Sequence, residues 1–120
     1  MPVRSLNSSV IKWPNKKEVE KSLNEWVKKL IKERDDVVRI GYFGSYARGD
    51  WGVGSDLDLI ILLEESDEQF ERRGIVFDTS SIPVPTELLV YTRDEWGRLK
   101  NEKSGFYCTV SQEVIWINHE

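Results

Sequence analysis

Asp56 and Asp58 stand one residue apart at the head of the most apolar run in the chain, Leu59-Ile60-Ile61-Leu62-Leu63. A purely structural strand gains nothing from such a pair, because neighbouring carboxylates repel and resist desolvation. Side chains alternate along a strand, so both acids share one face, roughly 7 Å apart at the backbone. Leu57, Leu59 and Ile61 then turn to the opposite face and into the core. Two converging carboxylates suit a hard cation such as magnesium, which takes oxygen ligands and completes its shell with waters and substrate phosphates. Manganese suits the same oxygen ligands. A divalent charge between the acids turns their repulsion into attraction.

Gly44-Ser45 lies just upstream, where the β-branched and aromatic segment Val37 to Phe43 stops. Glycine there permits a tight turn and close approach by a ligand. If Ser45 opens a helical turn, its amide and those that follow point outward as anion donors, with the hydroxyl as one more. A phosphate cradle beside an acidic metal site is what holding a metal–nucleoside triphosphate requires. Arg48 has two readings, a salt bridge to Asp50 or Asp56 and a direct contact to phosphate.

Composition sets the frame. The chain has 120 residues, 39% hydrophobic and 32% charged, with a net charge of −4. That describes one ordinary globular domain over 1–120, with 1–14 as a loosely held lead-in that Val10, Ile11 and Trp13 could pin down. No apolar run approaches the roughly 20 residues of a membrane span, and the N-terminus lacks a signal-peptide core. With Cys108 as the single cysteine no internal disulfide forms, which fits the cytoplasm. Net acidity argues against strong general nucleic-acid binding. His119 is the single histidine, one residue from the C-terminus, which argues against histidine catalysis and a multi-histidine metal site.

The elements that must position these residues follow from spacing. Asn15 and Glu18 form a capping-box pattern, and Val19, Leu23, Trp26, Val27, Leu30 and Ile31 mark one helix face ending at Asp35-Asp36. Strands are expected over Val37 to Phe43, Asp56 to Leu63 and Thr86 to Tyr91, with a short edge strand over Val114 to Ile117. A helical turn is expected at Tyr46 to Arg48, and Gly49, Gly52 and Gly54 make the loop before the second strand. Ser66 to Gln69 reads as a capping box opening a weak helix through Arg73, followed by possible strand character at Ile75-Val76-Phe77. Thr92 and Glu95 start a helix through about Lys103 that resumes near Phe106. Strands separated by helices predict an α/β or α+β fold, a small mixed β-sheet with helices packed on it.

"GSYARGDWGVGSDLDLIIL" closely resembles the signature of the DNA polymerase beta-like nucleotidyltransferase superfamily. That signature is Gly-Ser closing a strand, a spacer of about ten residues, then acid–apolar–acid starting the next strand. Arg48-Gly49 and the Ser55 before Asp56 are typical of its small stand-alone members, the minimal nucleotidyltransferases (MNT). The resemblance implies the polymerase beta-like fold and a third carboxylate on a later strand. Glu87 is the best match, with Asp78 as runner-up. It further implies that Asp56 and Asp58 hold two metal ions, with Glu87 ligating one or accepting the acceptor's proton. Gly44, Ser45, Arg48 and Ser55 would serve the nucleotide, for which the resemblance implies ATP.

The acceptor implied by the resemblance is a hydroxyl, with AMP the group moved. Minimal nucleotidyltransferases are often encoded with an all-helical HEPN-domain toxin and act as antitoxins, some by placing AMP on a tyrosine of it. A homodimer interface is the other way so small a module could complete its acceptor surface. Two further readings stay open: a binding module that neutralises its partner by contact alone, and transfer to a small-molecule hydroxyl. Among the remaining residues, Trp26 reads as core, and Trp96 and Trp116 as core or partner contacts. Trp51 either covers the site or stacks on a base, and Cys108 reads as a semi-buried, inert thiol.

Overall fold

The computed structural model describes residues 14–118, so residues 1–13 of the lead-in and His119 lie outside the described residues. Helix α1, Lys16–Glu33, begins with the expected capping box: the Asn15 side chain accepts from the Glu18 amide, and Glu18 accepts in return from the Asn15 amide. Each of those bonds satisfies an amide that a helix start leaves without a partner. Val19, Leu23, Trp26, Val27 and Leu30 are buried along one face. The indole of Trp26 also donates to the carbonyl of Asp78, tying α1 to a distant loop.

The chain then runs through β1 (Val37–Phe43), the short α2 (Ser45–Arg48), β2 (Leu57–Leu63), α3 (Phe70–Arg73), a 3-10 turn (Gly74–Val76), β3 (Thr86–Thr92), α4 (Arg93–Asn101), α5 (Gly105–Glu113) and β4 (Ile115–Asn118). The sheet order is β3-β2-β1-β4, with β1 antiparallel to β2 and β4, and β2 parallel to β3. This is the mixed sheet with packed helices that the sequence predicts. The parallel pair requires a crossover, which residues 64–85 supply with α3 and the 3-10 turn.

Apart from Asp58, strand β2 is apolar because both of its faces are covered. Leu57, Leu59, Ile61 and Leu63 join Val19, Leu23, Trp26 and Val27 of α1 in one core layer. Ile60 and Leu62 meet Trp96 of α4 and Val110 of α5 in another. Asp58 shares the Ile60–Leu62 face by alternation, so it emerges beneath α5 and not beneath α1. At Gly41 a Cβ would lie 2.8 Å from the Trp116 ring and 2.9 Å from the Ile115 carbonyl, which is why β4 can close on β1 there.

Four local expectations need correction. The second strand begins at Leu57, whose amide donates to the Pro85 carbonyl at 2.8 Å, leaving Asp56 one residue ahead of the ladder. Ser66 does not open a capping box: its hydroxyl accepts from the Glu68 amide two residues on, and α3 starts only at Phe70. Ile75 and Val76 are exposed in the 3-10 turn and form no strand; only Phe77 turns inward. Cys108 is exposed, because α5 packs through Val110 and turns the thiol outward.

One charged clamp holds the crossover against the sheet. The buried Arg73 guanidinium donates to the Glu68 and Val90 carbonyls and to both oxygens of Glu95, at 2.6 and 2.9 Å. Glu95 also closes the capping box of α4 with Thr92. Arg73 above all, then the Thr92 amide and hydroxyl, hold the Glu95 carboxyl down at about 2 against the opposing effect of burial. A depressed carboxyl stabilises the fold above its unfolded value and loses that contribution as pH falls through the folded one. The E95Q variant is therefore expected to lose about 2 kcal/mol at pH 7. In urea denaturation, the gap to wild type should close between pH about 4.5 and about 2.

Candidate active site

Strand β1 stops at Gly44, which adopts φ 78° and ψ −152°, a conformation open to glycine and strained for other residues. Ser45 follows as the first residue of α2, and Gly49 at φ 87° ends that turn, its amide donating to the Ser45 carbonyl. A Cβ on Gly44 would collide with the Asp58 carboxylate. Backbone conformation and close packing thus both require glycine at position 44, and they press the Gly-Ser turn against the acid.

Asp58 is paired in register with Phe43 on one side and with Glu87 on the other. In a parallel pair, residues in register project to the same face, so Asp58 and Glu87 stand side by side. Burial, then the charges of Glu87 and Asp56, push the Asp58 carboxyl above its usual range, with Arg48 opposing. Asp56 and Glu87 are both exposed, and Asp58 is half-buried. Both of the other predicted acids thus act on Asp58. Asp78, the runner-up, lies elsewhere: it is exposed, and its carboxylate caps the Ser80 amide.

Among the described residues, no three Asp, Glu, His or Cys side chains are gathered as a ready metal cage. Magnesium does not need one, since it is held by one or two carboxylates with waters and substrate phosphates completing the shell. The donor set here consists of hard carboxylate oxygens, and the excess negative charge around Asp58 is of the kind a divalent cation relieves. The residues present therefore fit the ion.

A cleft of about 430 Å³ opens at this point. Gly44, Ser45, Arg48, Asp56 and Asp58 line one wall; Phe106, Thr109, Val110 and Glu113 of α5 line the other. A larger groove of about 760 Å³ beside Asn15, Glu18 and Pro83 contains none of the predicted residues. Arg48 donates through Nε to Asp50 at 3.1 Å, one of the two expected partners, and not to Asp56. Its Nη1 donates to Glu113 at 3.2 and 3.3 Å, and the Gly44 amide donates to the same carboxylate at 3.1 Å. Ser55 lies outside the cleft lining, its hydroxyl accepting from the Gly52 amide at 2.8 Å and closing the glycine loop. Trp51 stacks flat on Tyr46, with ring centroids 5.3 Å apart.

Glu113 is the residue that sequence reasoning missed. It lies 65 residues from Arg48 and 69 from Gly44, with no local pattern to link them. Only the fold of α5 across the sheet brings it to the cleft.

With that geometry in place, comparison with known proteins decides the family. The nucleotidyltransferase domain model matches residues 24–111, which hold the Gly-Ser turn, the acids and most of α5. The chain belongs to the minimal nucleotidyltransferase family. Protein adenylyltransferase MntA of Thermococcus cleftensis is 31% identical over 90 residues, covering 75% of this chain and 84% of that one. MJ0141 of Methanocaldococcus jannaschii, provisionally named a protein adenylyltransferase, is 32% identical over 73 residues, covering 61% of this chain and 72% of its own. A crystal structure from Sulfolobus solfataricus, provisionally described as a nucleotidyltransferase, shares the fold with a TM-score of 0.61 at 19% identity, over 84% of this chain and 80% of that one. As a member of the family this nucleotidyltransferase is an enzyme that takes a nucleoside triphosphate as substrate. Among the described residues, no helix is long and apolar enough to cross a membrane.

The crowding of carboxylates has a measurable cost to this nucleotidyltransferase. A carboxyl raised above its unfolded value destabilises the fold as pH climbs through the raised value, and costs nothing where both states are protonated. Without added divalent ions, D58N is therefore expected to melt about 2 °C above wild type at pH 7. That advantage should shrink as pH falls through the unfolded carboxyl's range and disappear below about pH 3, where Asp58 is protonated in both states. Differential scanning calorimetry across that range checks the sign.

Proposed function

We propose that this nucleotidyltransferase moves AMP from ATP onto a hydroxyl of a partner protein, with Asp56, Asp58 and Glu87 as its acidic centre. The observation that carries the reading is the in-register pair Asp58–Glu87 with the Gly44 turn packed against Asp58. Acid and phosphate donors share one cleft wall, which is the juxtaposition that nucleotidyl transfer needs. The names of the two curated relatives support a protein as acceptor.

In this reading Asp56 and Asp58 would hold the divalent cation, magnesium or manganese, with Glu87 as a further oxygen ligand or as acceptor of the hydroxyl proton. When bound, that cation would neutralise the triphosphate's charge and lower the pKa of the acceptor hydroxyl. The Gly44-Ser45 turn and Arg48 orient the outer phosphates, and Ser55 keeps the glycine loop in shape around them. The acceptor oxygen forms a bond to the α-phosphorus as the bond to pyrophosphate breaks, and the hydroxyl proton passes to Glu87 or to water. Fixed position and charge complementarity supply the rate, as in other phosphoryl transfers.

The partner we infer is an all-helical HEPN-type toxin in the cytoplasm, held in check by modification; a homodimer of this chain is the other assembly the size suggests. A contact-only antitoxin and a small-molecule transferase are separated from this reading by one assay. With α-labelled ATP and magnesium, the chain should label a co-expressed partner protein. D58A should lower labelling by at least about 100-fold, and E87Q by at least about 10-fold. If D58A restrains the partner as well as wild type does, and no label appears, the transferase reading is wrong.

A further inference from the structure

We propose that Glu113 is a built-in competitor for the triphosphate, occupying the phosphate donors until a nucleotide displaces it. This rests on the reading that Gly44 and Arg48 serve the outer phosphates. Those two groups already have an anion. The Glu113 carboxylate accepts from the Gly44 amide at 3.1 Å and from Arg48 Nη1 at 3.2 and 3.3 Å. A carboxylate oxygen and a phosphate oxygen are chemically alike as acceptors, and both are drawn to a backbone amide or a guanidinium. One N–H directed at Glu113 is not directed at a phosphate.

The placement of Glu113 makes exchange feasible without unfolding. It is the last residue of α5, a helix anchored one turn earlier by the buried Val110, and the chain after it is fixed by the Val114 amide donating to Val110. Rotation about its own side-chain bonds can carry the carboxylate away from the cradle while α5 stays seated. The Arg48 side chain is 47% exposed and that of Glu113 20%, so water can take over their hydration as the pair opens. Asp50 keeps its own bond to Arg48 Nε and holds the guanidinium near the cleft in either state.

Two consequences follow for the reaction. The cradle discriminates by charge, since only a ligand with outer phosphates competes for the donors that Glu113 holds. The carboxylate can also return as pyrophosphate departs, so that product release does not leave the amide and the guanidinium bare.

Calorimetric titration of the full chain with α,β-methylene-ATP and magnesium tests the idea, with AMP as control ligand. The E113Q and E113A variants are expected to bind the triphosphate analogue about 3- to 10-fold more tightly than wild type, with AMP affinity unchanged. Combining either with R48A should remove most of that gain. Glutamine keeps the shape and the acceptor oxygen, so E113Q reports on the charge even if E113A fails to fold. Equal or weaker analogue binding by a folded E113Q, or the same tightening for AMP, overturns the proposal while leaving the nucleotide site intact. If neither wild type nor any variant binds the analogue, the phosphate-cradle reading falls, and this proposal with it.

Discussion

The parallel register of β2 and β3 is the constraint on which the site depends. It sets Leu57 against Thr86 and Asp58 against Glu87, and it continues residue by residue to Leu63 and Thr92. A slip of one residue would turn Glu87 to the other face of the sheet and dissolve the acid pair. What prevents the slip is burial on both faces of β2: Leu59 and Ile61 in the α1 layer, Ile60 and Leu62 beneath α4 and α5. The hydrophobic core thus fixes a placement that electrostatics alone opposes. The strand that is buried on both faces thus carries, at its second position, a carboxylate that burial disfavours.

Around that pair the rest of the architecture supplies support at the edges. The Arg73–Glu95 clamp holds the crossover that makes β2 and β3 parallel, and Glu95 doubles as the cap of α4. Gly44 lets the end of β1 approach the acid more closely than any side chain would permit. Helix α5 packs on the Ile60–Leu62 face of the sheet and closes the cleft with Phe106, Thr109 and Glu113. Phe106 sits edge-on to Phe43 with ring centroids 6.3 Å apart, joining the far wall to the strand that ends in the Gly-Ser turn.

Much of this was legible in the chain before any coordinates. Helix α1 is announced by Asn15 and Glu18, and β1 by its β-branched and aromatic composition, because those signals are local and physical. The Gly44-Ser45…Asp56-x-Asp58 spacing predicts the turn, whereas Glu87 enters only through the third carboxylate that the family resemblance implies. What was not legible depends on contacts between distant segments. Ser66 and Gln69 mimic a helix start, but the serine hydroxyl takes the nearer Glu68 amide. Ile75 and Val76 have strand-like composition, yet the 3-10 turn leaves them exposed. Glu113 carries no signal in sequence, since its partners are acquired only when α5 folds back over the sheet.

Manganese anomalous diffraction from crystals grown with an ATP analogue addresses the central claim most directly. The account predicts an anomalous peak about 2.2 Å from carboxylate oxygens of Asp58 and at least one of Asp56 and Glu87, with phosphate oxygens on the same ion. A nucleotide bound with its manganese elsewhere, or a soaked cleft with no peak beside Asp58, would contradict it.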